Sequence, residues 1–192
     1  MAGGLELEQP IERDGLRLFR SVTSVDEIAP RAGKTDWSPK EQVFPRTETL
    51  LYQAARAQIV EQVIRPRLAA GEIVLSDRYA DSTIAYQGYG HQQDLEQVRA
   101  LIKYATGGLV PDLTILLDVD VEVGLKRKKK GDEWNRMDAY TVEFHQRVRN
   151  GYLEMVKRDP VRWVVVDAGR EWPAVQEELR RTILERIEIH HG

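Results

Sequence analysis

The chain has 192 residues, 31% of them charged, a net charge of -3 and no cysteine. That length is one domain's worth and can bury a proper core. The near-balanced charge gives no bulk electrostatic case for binding nucleic acid or a membrane surface, and the missing thiols exclude disulfides and cysteine chemistry.

Residues 1–45 form a divergent N-terminal segment. Leu5-Glu6-Leu7-Glu8 alternates like a short edge strand before Pro10. Leu16 to Val22 reads as part of a helix, and Asp26 to Pro45, rich in proline and charge, as loop. From residue 46 the pattern is regular. Residues 46–69 predict a long helix with Leu51, Ala55, Ile59 and Val63 on one stripe, kinked in its last turn by Pro66. Ile73 to Ser76 predicts a buried strand. Asp94 with Gln97 forms a capping-box start to a helix that Gly107-Gly108 stops. Leu113 to Val119 predicts a second strand, apolar on both faces as parallel strands are. Val121 to Lys130 is helical and increasingly basic, and Thr141 to Lys157 is a helix carrying Val148, Tyr152, Met155 and Val156. Trp163 to Val166 is a third strand ending at Asp167, and Pro173 opens a last helix with Val175, Leu179, Ile183 and Ile187 in line. Strands alternating with helices give a parallel three-layer α/β fold.

The chemistry concentrates at residues 74–90. A short apolar run ends abruptly in Asp77-Arg78-Tyr79, followed by Asp81-Ser82-Thr83-Ile84-Ala85-Tyr86-Gln87-Gly88. In open α/β sheets ligands sit beyond the carboxyl ends of the strands, which places Asp77 and Arg78 where a phosphate and its magnesium would lie. Tyr52 and Arg56, four apart, share one helix face. No apolar run is long enough to span a membrane and the N-terminus lacks a leader pattern, so the expectation is a soluble, cytoplasmic protein.

The segment at 77–88 resembles the Asp-Arg-Tyr/His and Asp-Ser-Thr-x-Ala-Tyr-Gln-Gly motifs of thymidylate kinases. The resemblance extends in order from Leu51-Tyr52-Gln53-Ala54-Ala55-Arg56 through Thr106-Gly107-Gly108-Leu109-Val110-Pro111-Asp112, Leu116-Leu117-Asp118-Val119 and Asn135-Arg136 to Arg149-Asn150-Gly151-Tyr152. It implies a P-loop nucleoside monophosphate kinase-like fold over 46–192, with ATP phosphorylating dTMP in the presence of Mg2+, and a homodimer. It also implies roles. Tyr52 would stack on thymine and Arg56 bond its edge. Arg78 would grip the monophosphate, Asp77 orient phosphate and magnesium, and Thr83, Tyr86 and Gln87 line the base and sugar pocket. Arg127 and Arg136 would act from a basic lid at 126–136. Each has a plain alternative: a core tyrosine beside a solvated arginine, an ion pair at a strand end, an N-cap with its helix face, a solvated basic helix.

One family feature is not visible. A phosphate loop ending at Gly33-Lys34-Thr35 would need a glycine where Ile28 stands, with a strand before and a helix after. The expectation is therefore a chain lacking the first strand and Walker A loop, with little or no kinase activity. The alternative readings are a non-catalytic dTMP-binding or dimerising module, and a kinase for another nucleoside monophosphate.

Overall fold

A computed structural model describes the backbone of residues 11–13, 16–18, 44–129 and 140–191, and the side chains of residues 44–128 and 140–186. Leu5–Glu8, Gly33–Thr35 and Arg136 lie outside the described residues. Ile11–Arg13 (β1) and Leu16–Leu18 (β2) pair antiparallel, Ile11 opposite Leu18. The helix expected from Leu16 is thus a strand at its start. Three residues are too few to fix a 3.6-residue period, and the ladder to β1 takes the backbone bonds a helix would use.

The remaining described residues fall into two compact units. The first runs to Gln87 and adds Gln93–Leu109. Its long helix is Pro45–Ile59 (α1), a π-helical turn Val60–Ile64, and Arg65–Ala69 (α2). Pro66, which has no N–H to give the ladder, stands immediately after the π-helical turn in this continuous helix. The expected apolar stripe is only partly buried. Val60, Val63 and Ile64 are inside, but toward the N-terminus the buried positions are Glu48, Thr49 and Gln53. They are buried because polar partners arrive from the segment after Tyr79, as described below.

Ile73–Ser76, expected as a buried strand, forms no ladder, and Ile73 and Leu75 are 42% and 52% exposed. An apolar run becomes a strand only when a neighbour supplies its hydrogen bonds, and none does among the described residues. A short helix, Ala80–Thr83 (α3), and a π-helical segment, Ile84–Gly90, follow. Leu95–Thr106 (α4) is bounded as expected. Asp94 Oδ1 accepts from Glu96 N at 2.8 Å and Gln97 N at 3.1 Å, while Gly107 stops the helix at φ +56°. Ala80, Val98 and Ile102 form an apolar cluster in this unit, with Tyr79 and Ile84 against it.

The second unit comprises Gly88–Gln92 and the residues from Val110 onward. Thr114–Asp118 (β3) and Trp163–Asp167 (β4) pair parallel in register, Thr114 opposite Trp163 and Asp118 opposite Asp167. β3 is not buried on both faces as expected, since Leu117 is 45% exposed. Val121–Lys129 (α5), Val142–Arg158 (α6) and Trp172–His191 (α7) complete the unit. Thr141 caps α6 by accepting from Phe144 N. Phe144, Val148, Gly151 and Met155 form the buried stripe of α6, and Gly151 lets the Tyr89 ring come closer than a Cβ would allow. The strand–helix–helix–strand order with a parallel pair makes the fold α/β.

Candidate functional site

The site in the first unit is built from α1 on one side and residues 76–87 on the other. Arg56 on α1 points Nη2 at Thr83 Oγ1, 3.3 Å away and 27 positions along the chain. Gln53, one turn earlier on the same face, donates from Nε2 to the same oxygen at 3.1 Å. One further turn back, buried Glu48 accepts from Gln87 Nε2 at 2.7 Å. Thr49 and Gln93 continue the network, with Gln93 Nε2 donating to Thr49 Oγ1 at 2.9 Å. These bonds fix the α3 and π-helical backbone against α1, so that Thr83 and Gln87, four apart, both face it. A π turn re-aims side chains by widening the helix, which is how such turns come to serve sites.

Two guanidiniums lie on tyrosine rings. Arg56 sits over Tyr79 at 5.1 Å from the ring centroid, and Arg78 over Tyr86 at 4.9 Å. Arg78 is exposed and adopts φ +63°, a left-handed conformation that a side chain bearing Cβ takes only at a cost. Ser76 Oγ donates to the Arg78 carbonyl at 3.1 Å and helps hold that turn. Asp77 is exposed beside it. Tyr79 is half-buried and donates to Leu109 O at 3.3 Å. Burial pushes its phenol above the usual range, against the opposing pull of Arg56 and Arg65.

The structure therefore brings Arg56, Thr83, Arg78, Tyr86 and Gln87 into one unit, with half-buried Tyr52 on the same helix as Arg56. Gln53 and Glu48 are absent from the residues singled out by motif. Gln53 continues the helical spacing of Thr49, Arg56 and Val60, at four, three and four residues, but a polar stripe of that period is equally that of a solvent-facing helix, and Glu48 lies outside it.

In the second unit Arg127 on α5 donates to Ala168 O and, at 3.1 Å, to Gly169 O, tying its helix to the turn after β4. Asp118 takes a bidentate pair from Arg149 at 2.8 and 2.9 Å, and Asp167 accepts from Gly169 N at 2.7 Å. Both aspartates thus have structural employment.

Against this geometry, the family model for thymidylate kinase matches residues 33–179. The chain belongs to the thymidylate kinase family. It is 47% identical over 168 residues to a thymidylate kinase of Herpetosiphon aurantiacus, covering 74% of this chain and 70% of that protein. It is 49% identical over 151 residues to one of Roseiflexus castenholzii (72% and 66%), and 43% identical over 159 residues to one of Deinococcus radiodurans (83% and 77%). The chain thus spans between about two thirds and three quarters of the length of these three relatives. No described helix is long and apolar enough to cross a membrane.

Thymidylate kinases act with ATP and generally Mg2+. Among the described residues no cluster of three or more acidic or histidine side chains could cage a metal ion. Magnesium is usually held by one or two carboxylates together with substrate phosphates, and Asp77, exposed beside Arg78, is a carboxylate that could serve in that way.

Proposed function

We propose that this chain binds dTMP at the site between α1 and residues 76–87, as the acceptor half of phosphoryl transfer from ATP to dTMP giving dTDP. The observation that carries the reading is the meeting of Arg56 and Thr83 across the chain, one turn from Arg78 held on the Tyr86 ring. Arg78 presents a planar fork to a phosphate dianion, and charge-assisted bidentate pairs are the strongest hydrogen bonds available to it. Arg56 and Thr83 offer hydrogen bonds to the edge of a flat base, and Tyr52 offers it a π face. Tyr86 and Gln87 line the sugar side. Magnesium, when bound with the phosphates, would be oriented by Asp77 and would offset phosphate charge.

On the donor side, Arg127 and Arg136 are proposed as lid residues that supply positive charge to the migrating group, as phosphoryl transfer requires. The homodimer and the cytoplasmic location expected above belong to this reading. So does low turnover of the chain as written, because Gly33-Lys34-Thr35 lacks the glycine of a phosphate loop.

Calorimetric titration with dTMP and, separately, with Mg-ATP tests the proposal. dTMP binds, and Arg78→Ala weakens it by about a hundredfold, the worth of a charged hydrogen-bonded pair. A chain that ignores dTMP, or an Arg78→Ala variant that binds it unchanged, overturns the reading. Binding of Mg-ATP with normal turnover would instead overturn the expectation of low activity.

A further inference from the structure

We infer that Gln53 is the residue by which this site selects a pyrimidine bearing an N3–H, thymine over cytosine; the inference rests on the dTMP reading above. Thr83 Oγ1 accepts from Gln53 Nε2 at 3.1 Å and from Arg56 Nη2 at 3.3 Å. A hydroxyl has two acceptor lone pairs and one proton. With both lone pairs engaged, Thr83 has only its O–H to offer, as a donor. Gln53 is 5% exposed, and its Oε1 is buried with no hydrogen-bond partner among the described residues. A buried acceptor left unmade is costly, and a ligand donor that reaches it is rewarded accordingly.

Gathered at the Thr83 hydroxyl, the three side chains hold a donor on Arg56, an acceptor on Gln53 and a donor on Thr83. The edge of thymine reads O4, N3–H, O2, that is acceptor, donor, acceptor, and asks for that same set of two donors and one acceptor. Cytosine reads donor, acceptor, acceptor. It would set its amino group against the guanidinium and its bare N3 against Gln53 Oε1. A site built to pair an N–H discriminates strongly against the analogue lacking it, because its own polar group is then left unpaired. Gln53 acts in two ways at once: it positions the Thr83 hydroxyl and it supplies the middle acceptor.

The test titrates the full chain with dTMP, dCMP and 2-deoxyribose 5-phosphate, which has the phosphate and sugar but no base. Gln53→Met keeps length and helix propensity while removing both polar atoms. It is expected to weaken dTMP about tenfold and to contract the dTMP-over-dCMP ratio by a similar factor, the worth of one hydrogen bond. Binding of deoxyribose 5-phosphate stays unchanged, which a general loosening of the pocket would not allow. Thr83→Val with Gln53→Met should weaken dTMP by less than the product of the two single effects, since the residues act partly as one unit. Gln53→Leu is the second variant should Gln53→Met fail to fold by circular dichroism. It too removes the acceptor for N3–H, so the ratio contracts again. Wild-type chain that binds dTMP, with a variant whose dTMP-over-dCMP ratio is unchanged, overturns the inference alone. Wild-type chain that binds neither dTMP nor deoxyribose 5-phosphate overturns the reading beneath it.

Discussion

Tyr79 carries its phenol between two demands. The Arg56 guanidinium lies over its ring and the hydroxyl donates to Leu109 O. Burial favours the neutral phenol more than Arg56 and Arg65 favour the phenolate, so the group titrates above its ordinary value. A raised folded value stabilises the fold below the unfolded pKa, near about 10, and that stability is lost as pH rises through the folded value. Tyr79→Phe removes both the hydroxyl bond and the titration. The variant is expected to be less stable by about 1 kcal/mol at neutral pH. The gap to wild type then closes as pH is raised above the ordinary phenol value, because only wild type declines through Tyr79. Urea unfolding of both proteins across that range measures it, and a gap that stays constant with pH would show that Tyr79 does not titrate in the fold. At this scale motif reading reaches Arg56, Arg78 and Thr83, whose types announce phosphate and base chemistry. It does not reach Gln53 or Glu48. Their burial depends on Thr83 and Gln87, which lie 30 and 39 positions away, and nothing local distinguishes them from solvent-facing residues of a helix.

Helix α4 shows what an element owes to its ends. Gly107 and Gly108 both take positive φ, and Gly108 N donates back to Lys103 O at 3.0 Å in the Schellman pattern. The two glycines differ in surroundings. A Cβ on Gly107 would sit 2.6 Å from Arg65 Nη2, whereas one on Gly108 would meet nothing within 4 Å. Arg65 Nη2 also donates to Thr106 O and Gly107 O at 3.1 and 3.0 Å, closing the carbonyl end of the helix. Gly108→Ala should therefore cost about 1 kcal/mol, the price of a left-handed residue with a side chain. Gly107→Ala should cost about 2 kcal/mol, adding the displaced arginine bonds. The excess disappears in an Arg65→Ala background, and a thermal-denaturation cycle over the four proteins reads it; an excess that persists would place its origin in the backbone alone. The limits of α4 are legible because caps act over two or three residues, and Asp94 and Gly107 carry their own signals. The β3–β4 pair is equally legible from its apolar runs. Residues 73–76 mislead for the opposite reason: their composition is strand-like, but a ladder is made by a neighbour, and composition contains no neighbour.

For the molecule as a whole, the consequence is apolar surface where strands would ordinarily be covered. Ile73 and Leu75 are exposed in the first unit, Leu117 and Val165 in the second, and β3 ladders only with β4 among the described residues. Parallel strands are normally covered on both faces, and an open apolar edge is a template for association. Val166, fully buried on the same sheet, gives the contrast. Val166→Ala should destabilise by about 2 kcal/mol through lost burial and the cavity left behind. Leu117→Lys should change stability by no more than about 0.5 kcal/mol, the range of a surface substitution. Combined with Leu75→Lys, it should reduce self-association, seen as a smaller scattering mass at high protein concentration. The two measurements separate two states of the chain. If Leu117→Lys is harmless and lowers the scattering mass, the Leu117 side chain is bare in the monomer and the wild-type chain gathers through it. If Leu117→Lys costs as much as Val166→Ala, Leu117 is covered in solution as its register partner Val166 is.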